Sequence, residues 1–449
     1  MSVVVENTHG WLLDACLLID QDYVRCFRLH DELKSEFVAR FKRQYFRILK
    51  SYGGGDNKIS NHNVHAVKQD VLQRQERPPK RLFQKRKRSE LNQGEIDFKA
   101  FHEKIRCVIL EGTKSLVESA TLLGYLHGGS VGVKDPQSCN QCNLASLCDM
   151  AKELPLVDDE DQERCVQSLN ASDGTSHLDL FSRVTENPAE HAIVTMLMGE
   201  EYVIPPCTAF LLSDFSRMEP LLQYGHKFDV IVVDPPWENK SVKRSRRYTC
   251  LPSSQLKRLP IPRLASPDSL VVTWVTNRPS HLRFVRHELY PHWGVEPVAQ
   301  WLWVKVTADG EFVFPLDSPH KKPYEVLILG RYRGHSLISP SERCAGAGTP
   351  TVQDQRLIVS IPSALHSHKP SLAEVLKPYM KVDGKCLELF ARSLQAGWTS
   401  WGNEVLRFQH SSYFTLTPAG QPRSPPSASC HPTFNDDVTV VISTAPRGR

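Results

Sequence analysis

An acidic residue, two prolines and a tryptophan directly follow an apolar run near the middle of the chain. Residues 228–233 have the composition of a buried strand, and Asp234, Pro235, Pro236 and Trp237 come next. Proline fixes φ and lacks an amide hydrogen, so two in succession make a rigid turn. The pattern predicts a turn that presents a carboxylate, a backbone carbonyl and an aromatic ring to a ligand. The alternative is a structural strand-end turn.

The chemistry that suits these groups is methyl transfer to an aromatic amine. The 6-amino nitrogen of adenine is a poor nucleophile because its lone pair is delocalised into the ring. Acceptors for its hydrogens, the Asp234 carboxylate and the Pro235 carbonyl, would favour a pyramidal nitrogen that faces a methyl donor. Trp237 would stack on the base, a contact worth about 1–3 kcal/mol. A methyl on a sulfonium needs no metal, so the expected catalysis is positioning and charge placement. A base in a duplex would first be flipped out.

Composition limits the class of protein. The chain has 449 residues, enough for two domains and linkers, and a formal net charge of +5. The start has no signal-like segment, and no apolar run reaches the ~20 residues of a membrane helix. We therefore expect a soluble, intracellular protein with no membrane contact.

Two basic segments stand out in this nearly neutral chain. The first lies in Pro78–Arg88 and predicts a nuclear localisation signal, with a plain linker as the alternative; it indicates a nuclear location, or else a cytoplasmic one. The second lies directly behind the predicted turn, where it is suited to holding nucleic-acid phosphates, with a solvated surface as the alternative. Its members are Lys240, Lys243, Arg244, Arg246 and Arg247.

The cysteines favour free thiols over a metal site or a disulfide framework. Only Cys139 and Cys142 form a tight pair; Cys148 and Cys165 lie further along, and no second pair completes a typical zinc set. No metal is predicted, although the sequence leaves open whether Cys139, Cys142 and Cys148 bind one.

Patterning divides the chain into three parts. Residues 1–185 are expected to form an accessory, nucleic-acid-binding domain of mixed α/β or mainly helical type, with basic and Cys/acidic loops. Residues 186–415 form the second domain, and 416–449 a mostly disordered tail. In the first part, Phe37, Phe41, Tyr45 and Ile48 recur at helical spacing, and 96–126 is predicted helical.

The second domain alternates apolar strands with helices, which indicates an α/β fold with a largely parallel sheet. Asn187-Pro188 predicts the start of a helix that ends near Gly199. Further helices are predicted at 279–290 and 371–379. The predicted strands are 208–212, 228–233, 269–275, 298–306, 324–330, 356–361 and 385–390.

Asp234-Pro-Pro-Trp237 at a strand end resembles the signature of the adenosine methyltransferase (MT-A) family. The longer string Asp234–Ser241 is similar to its methyltransferase-like protein 4 branch. The resemblance covers residues 187–415. It implies a permuted Rossmann-like methyltransferase domain, S-adenosylmethionine as cofactor and adenine in RNA or DNA as substrate. The order is permuted because Lys385–Arg392, which looks like the cofactor strand, follows the catalytic strand.

The same resemblance implies individual cofactor contacts. Asp214 and Phe215 match positions near the cofactor's adenine, and Lys369 matches an active-site lysine suited to the cofactor carboxylate. The remaining matches serve the ribose and neighbouring polar atoms: Glu388, Arg392, Asn403 and Glu404.

The chain departs from the family pattern in the cofactor turn. Ala391 replaces an expected glycine, and Ser393–Gln395 replaces a segment with a polar His-Asn pair. Leu394 cannot make the hydrogen bond of that histidine, which puts the ribose contacts in doubt.

Trp303 and Lys305 match a Trp-Val-Lys segment of relatives and are expected to wall the substrate pocket. Trp301 and Trp303 could equally belong to the core, since they alternate along one strand.

The residues predict an N(6)-adenine methyltransferase, and the resemblance alone implies RNA as the polymer, specifically 2′-O-methyladenosine in small nuclear RNA. One alternative is the same reaction on DNA. An alternative of another class is a catalytically silent nucleic-acid-binding partner subunit, against which the intact tetrapeptide argues. No obligate protein partner is expected, and the chain is predicted to act as a monomer.

Overall fold

Two β-sheets and the helices packed on them make up the part of the chain that the computed structural model describes. The described residues are 2–29, 35–48, 93–126, 144–153, 165–169, 178–238, 251–318, 321–334 and 350–419. Several predictions fall outside these ranges: both basic segments, the acidic loop expected in residues 1–185, Cys139 and Cys142, and the tail beyond residue 419.

The strands form one large mixed sheet and one small sheet. In chain order they are β1 (Val3–Asn7), β2 (Gly10–Leu13), β3 (Cys26–Arg28), β4 (Glu36–Phe41), β5 (Val166–Ser168), β6 (Val184–Asn187), β7 (Ala192–Leu197), β8 (Glu200–Ile204), β9 (Thr208–Leu211), β10 (Phe228–Val233), β11 (Ala265–Val275), β12 (Val295–Lys305), β13 (Tyr324–Tyr332), β14 (Leu357–Ser360), β15 (Cys386–Leu389), β16 (Trp398–Trp401) and β17 (Phe414–Pro418).

The large sheet has the order β1-β2-β14-β12-β13-β11-β10-β15-β16-β9-β6-β5. From β11 through β10, β15 and β16 to β9, every neighbouring pair is parallel. β13 runs antiparallel between β11 and β12. This arrangement confirms the predicted α/β class and the permuted order, since β15 lies beside β10 although it is formed more than 150 residues later.

Strand β10 lies in the middle of the large sheet, where its side chains are buried on both faces. Val230, Ile231, Val232 and Val233 are all buried, and β-branched side chains of this kind favour a pleated backbone. Burial of each such side chain contributes roughly 1.5–3 kcal/mol. On one side of β10 lies β11, the next strand in the chain, and on the other side lies β15, which is formed much later. The junction of β10 and β15 is therefore a topological switch point, the place where open α/β sheets bind ligands.

The helices pack mainly against the large sheet. They are α1 (Ala15–Asp20), α2 (Gln93–Leu122), α3 (Leu144–Ala151), α4 (Glu219–Gln223), α5 (Ile261–Leu264), α6 (Pro279–Phe284), α7 (Tyr290–His292) and α8 (Ala373–Leu376), with a π-helical turn, Val285–Leu289, joining α6 to α7. α2 buries a stripe at helical spacing that includes Ile105, Ile109 and Leu116. It contacts β1, β2 and β14.

The small sheet has the order β17-β4-β3-β7-β8 and joins distant parts of the chain. β4 pairs with β17, so residues 416–418 are a strand and the predicted disordered tail begins too early. The helical spacing of residues 37–48 was misleading as well: residues 36–41 form β4, whose Phe41 packs on Tyr45 and Tyr413. Tertiary packing thus overrode the local period.

The predicted helix from Asn187 to Gly199 is wrong. The Asn187 side chain donates to the carbonyls of His191 and Pro205 and accepts from the Ala189 amide, so it closes a turn. β7 and β8 follow as an antiparallel hairpin. Their β-branched residues, such as Ile193 and Val194, pack better on a sheet than on a helix.

The division predicted at residue 185 falls inside the large sheet. β5 pairs with β6, and β6 pairs with β9. At the opposite edge β2 pairs with β14. Strands from residues 1–185 therefore complete both edges of the sheet that carries the site.

Candidate active site

Asp234 lies at the carboxyl end of β10, beside the end of β15. Val233 pairs with Leu389, and the Asp234 amide donates to the Leu389 carbonyl at 3.1 Å. The parallel register therefore places the carboxylate at the switch point of the sheet. Asp234 is only 6% exposed, so its charge requires partners.

Two cations contact the Asp234 carboxylate. Lys369 Nζ lies 3.0 Å from Oδ1 and 3.1 Å from Oδ2, and Arg392 Nη1 lies 2.9 Å from Oδ2. Removal of one partner from a buried ion pair typically costs about 3–5 kcal/mol. The two cations are thus expected to fix both the charge and the orientation of the carboxylate.

Lys369 also joins Asp234 to a second carboxylate. Its Nζ lies 3.3 Å from Glu325 Oε2, and Glu325 also accepts from Lys305. Burial alone would raise the pKa of Glu325, but Lys305 and Lys369 outweigh burial and lower it to about 2. Burial likewise opposes the charge of Lys369, yet Asp234 and Glu325 raise the pKa of its ammonium above its ordinary value.

Glu325 was missed by the sequence reasoning. It is the acidic residue at the start of the apolar strand β13, and a charge within such a run was the available signal. In this structure the partners of Lys369 are Asp234 and Glu325. Its pairing with a cofactor carboxylate stays a prediction.

A tight turn after β15 brings Arg392 back toward Asp234. Phe390 has φ of 61°, a left-handed conformation that is rare for a bulky residue. Gly402 permits the close packing of this turn, because a Cβ there would lie 2.8 Å from the Ala391 carbonyl oxygen. Arg392 Nε then lies 3.3 Å from Glu404, which also pairs with Arg407.

Glu388, on β15, has no such cationic contact within hydrogen-bonding distance among the described residues. Gln395 Nε2 donates to its Oε2 at 2.9 Å, and Ser371 Oγ donates to Gln395 Oε1. Burial, together with the Asp234 charge, raises the pKa of Glu388 to about 7. Glu388 therefore changes charge near neutral pH.

Two pockets meet at Arg392. The polar pocket has Asp234, Lys369, Glu388 and Gln395 in its wall. The aromatic pocket is lined by Phe215, Phe390 and Trp401 together with Asp214, Asn403 and Glu404. S-adenosylmethionine consists of a purine, a ribose diol and a charged amino-acid end. The aromatic pocket suits the purine and the polar pocket the remainder, so the residues present fit this cofactor.

The predicted cofactor residues thus come together, but several have other partners. Asp214 Oδ1 accepts from the Ser216 amide and hydroxyl and pairs with Lys152 at 3.2 Å. Burial opposes the charge, but these hydrogen bonds lower the pKa of Asp214 below its usual value. Its place near the cofactor's adenine remains a prediction. The Leu394 side chain is buried and its amide donates to Gln409.

Trp237 is packed in the core and does not line either pocket. It is 6% exposed, its Nε1 donates to the Trp274 carbonyl at 2.8 Å, and its ring stacks on His281. The Trp237 amide also donates to the Pro235 carbonyl at 2.8 Å. The structure thus shows how the turn is braced, and base stacking by Trp237 stays a prediction.

Trp301 and Trp303 are both core residues. Each is at most 2% exposed, and Trp303 Nε1 donates to Ser360 Oγ. The expected wall residue Trp303 is therefore buried. Lys305 lies over its ring and binds Glu325. Lys305 acts on the site through that carboxylate.

No cluster of potential metal ligands is present among the described residues. Cys148 is buried on α3, and burial raises the pKa of its thiol to about 12.

Among the described residues, no helix combines the length and apolarity needed to cross a membrane. The five predicted phosphate-binding residues between Lys240 and Arg247 lie outside the described residues.

Comparison with known proteins covers the part of the chain that forms this site. Residues 228–404 match the MT-A70 family. The N(6)-adenine-specific methyltransferase METTL4 of Mus musculus is 51% identical over 411 residues, which cover 87% of this chain and 84% of the relative. The chain belongs to the MT-A70 family.

Other MT-A70 relatives are similar over shorter stretches. The N6-methyladenosine RNA methyltransferase MTA1 of Pyricularia oryzae is 35% identical over 231 residues, 49% of this chain and 58% of the relative. The DNA N6-methyl methyltransferase of Caenorhabditis elegans is 34% identical over 222 residues, 48% of this chain and 56% of the relative.

Family membership confirms three predictions. The chain is an S-adenosylmethionine-dependent methyltransferase of the MT-A70 family, it belongs with the METTL4 branch, and its fold is the Rossmann-like fold expected from the sequence. The names of the relatives agree with the predicted transfer to the 6-amino group of adenine. The site described above is thus the candidate catalytic centre of an MT-A70 methyltransferase.

Proposed function

We propose that this MT-A70 enzyme transfers the methyl group of S-adenosylmethionine to the 6-amino group of adenine in nucleic acid, with RNA as the preferred polymer. The observation that carries the proposal is the Asp234 carboxylate, held in the wall of the polar pocket by Lys369 and by Arg392, which also lines the aromatic pocket. The names of the METTL4 relatives support the choice of adenine.

The turn retains the acceptors that an amine requires. A carboxylate has about four lone-pair sites, and Lys369 and Arg392 use three of those on Asp234. The Pro235 carbonyl accepts one hydrogen bond, from Trp237, and keeps its second lone pair. One acceptor site on each group therefore remains for the two hydrogens of an adenine amine.

Charge placement favours the transfer itself. Positive charge leaves the sulfonium of the cofactor and develops on the amine nitrogen. Asp234 lies at this end of the sheet, and a preorganised carboxylate that accepts from the amine in a buried site stabilises the developing charge more strongly than water does. Lys369 and Arg392 keep Asp234 oriented during the step.

The finer proposal is that the target is 2′-O-methyladenosine in small nuclear RNA. It rests on the resemblance to the methyltransferase-like protein 4 branch. DNA is the second candidate, which the name of the Caenorhabditis elegans relative favours. Purified protein should be compared on matched RNA, 2′-O-methylated RNA and DNA oligonucleotides. Faster transfer to 2′-O-methylated RNA supports the proposal, and transfer to DNA alone overturns it.

The silent-subunit alternative has a separate test. All four residues of the Asp-Pro-Pro-Trp turn are present and the turn is packed. Titration of the pure chain with S-adenosylmethionine should therefore show binding. An absence of binding would favour the silent subunit.

The basic residues Lys240, Lys243, Arg244, Arg246 and Arg247 are proposed to hold substrate phosphates. Replacing three of them by glutamine should raise KM for the oligonucleotide and reduce the salt dependence of binding. An unchanged KM would exclude the role.

We also propose a nuclear location, directed by Pro78–Arg88. A fluorescent fusion should lose nuclear enrichment when the lysines and arginines of this segment become alanine.

Action as a monomer is proposed as well. Light scattering of the active protein should give the mass of one chain, and activity confined to a larger species would contradict it.

A further inference from the structure

The outer wall of the polar pocket comes from the amino-terminal segment, far from the catalytic turn in sequence. Leu18 and Ile19 on α1, Asp22 on the short 3₁₀ turn that follows it, and Phe41 on β4 all line this pocket. Asp22 is the one carboxylate that this segment contributes to the wall, within the described residues.

Asp22 contacts the turn that follows β15. Its Oδ2 accepts the Ala396 amide at 3.1 Å, next to Gln395, which binds Glu388. The side chain is half-buried. Asp22 therefore stands at the edge of the cofactor pocket, with one oxygen committed to the protein.

The charges around Asp22 differ from those around Asp234. Burial raises the pKa of Asp22 to about 6, the Ala396 amide opposes this, and Glu374 raises it further. Among the described residues Asp22 forms no ion pair, whereas Lys369 and Arg392 contact Asp234 directly. In the described part of the polar pocket, Asp22 is thus a carboxylate whose charge would be stabilised by a cationic ligand.

The two forms of the cofactor differ by one positive charge. S-adenosylmethionine has a sulfonium, an ammonium and a carboxylate, and so carries one net positive charge. The product S-adenosylhomocysteine has lost the sulfonium charge and is neutral overall. A carboxylate in the pocket wall attracts the first form through Coulomb interaction more strongly than the second.

We propose that Asp22 makes the pocket selective for positively charged S-adenosylmethionine over its neutral product. The inference rests on the proposed function, because it requires the cofactor to occupy this pocket. Asp22 is only partly buried, so solvent weakens its interaction with a charged ligand, and the expected effect is roughly three- to ten-fold in affinity.

Calorimetric titration of the full chain with three ligands tests the proposal. These are S-adenosylmethionine, S-adenosylhomocysteine and sinefungin, whose amine stands in place of the sulfonium. Asp22→Asn keeps an oxygen that can accept the Ala396 amide but removes the charge. It should weaken binding of the two cationic ligands by roughly three- to ten-fold and leave S-adenosylhomocysteine within about two-fold.

Asp383→Asn is the matched control. It removes the same charge from an exposed turn before the amino end of β15, at the opposite end of that strand from the site, and should change none of the three affinities. Asp22→Glu keeps the charge while altering the contact to Ala396, and should preserve the preference for cationic ligands.

Equal weakening of all three ligands by Asp22→Asn would show that Asp22 only holds the turn, and would overturn the proposal. So would an unchanged ratio of affinities, or loss of the preference in Asp22→Glu. Failure of the wild-type chain to bind any of the three ligands would instead overturn the proposed function, and this inference with it.

Discussion

The carboxylates of Asp234 and Glu388 lie at the ends of neighbouring parallel strands, yet their surroundings are opposite. Asp234 contacts two cations. Glu388 is bound by the neutral amide of Gln395, and its pKa is raised to about 7. One strand end therefore holds a carboxylate paired with two cations, and the other holds a group whose charge depends on pH. Depth of burial does not explain the difference, because both side chains are buried.

The largest expected effect on activity comes from a change at Asp234. Asp234→Asn should reduce kcat by roughly 10³-fold, because it removes charge that stabilises the amine as it becomes positive. Asp229→Asn, at the amino end of the same strand, is the control and should keep near wild-type activity. Single-turnover methylation measures the difference. A loss below about ten-fold in Asp234→Asn would refute the role assigned to its carboxylate.

Removing one of the two cations that contact Asp234 should have a smaller effect. Lys369→Met leaves Asp234 with Arg392 and Glu325 with Lys305, so the site should survive with a roughly 10²-fold loss in kcat/KM. Lys381→Met removes a comparable ammonium from an exposed pair with Asp229 and serves as the control. If both variants lose activity equally, the clamp on Asp234 has no special role.

Glu388, whose charge depends on pH, should affect the free energy of unfolding rather than the rate of methyl transfer. Because the pKa of Glu388 rises on folding, the folded state binds its proton more tightly, and stability is lost as pH rises from about 4.5 to about 7. Glu388→Gln removes that loss. It should be stabilising relative to wild type at pH 8 by up to about 3 kcal/mol, with little benefit at pH 4.5.

Urea unfolding at the two pH values measures this effect. A pH-independent difference between Glu388→Gln and wild type would mean that Glu388 does not titrate near neutrality.

The smallest effect should come from crowding the turn that carries Arg392. Gly402→Ala places a Cβ 2.8 Å from the Ala391 carbonyl oxygen, so the turn must move, at a cost of about 1–3 kcal/mol. Because Arg392 holds Asp234 from this turn, cofactor affinity should fall with stability. Gly225→Ala, whose Cβ would meet nothing closer than an ordinary contact at 3.7 Å but whose φ is left-handed at 72°, isolates the effect of backbone strain alone. Thermal unfolding and cofactor titration should show a larger affinity loss in Gly402→Ala.

Sequence reasoning succeeded where the signal was local. β10 begins and ends at the predicted residues 228 and 233, and β15 lies within the predicted strand. It failed at Asn187, whose cap-like pattern closes a turn before a hairpin, and at Phe37–Phe41, whose spacing also fits one face of a strand. In both places neighbouring strands supplied hydrogen bonds that no local window contains.

The sequence by itself determined the strand, the rigid Asp-Pro-Pro-Trp turn and the reaction it suits, because backbone preference and residue chemistry act over a few positions. Only the tertiary structure decided the electrostatics. Asp234 meets Lys369 and Arg392 across 135 and 158 residues of chain, and Glu325 and Asp22 join the site from other strands and segments. Ion pairs depend on distance in space, and the order of strands in the sheet, which periodicity does not encode, sets that distance.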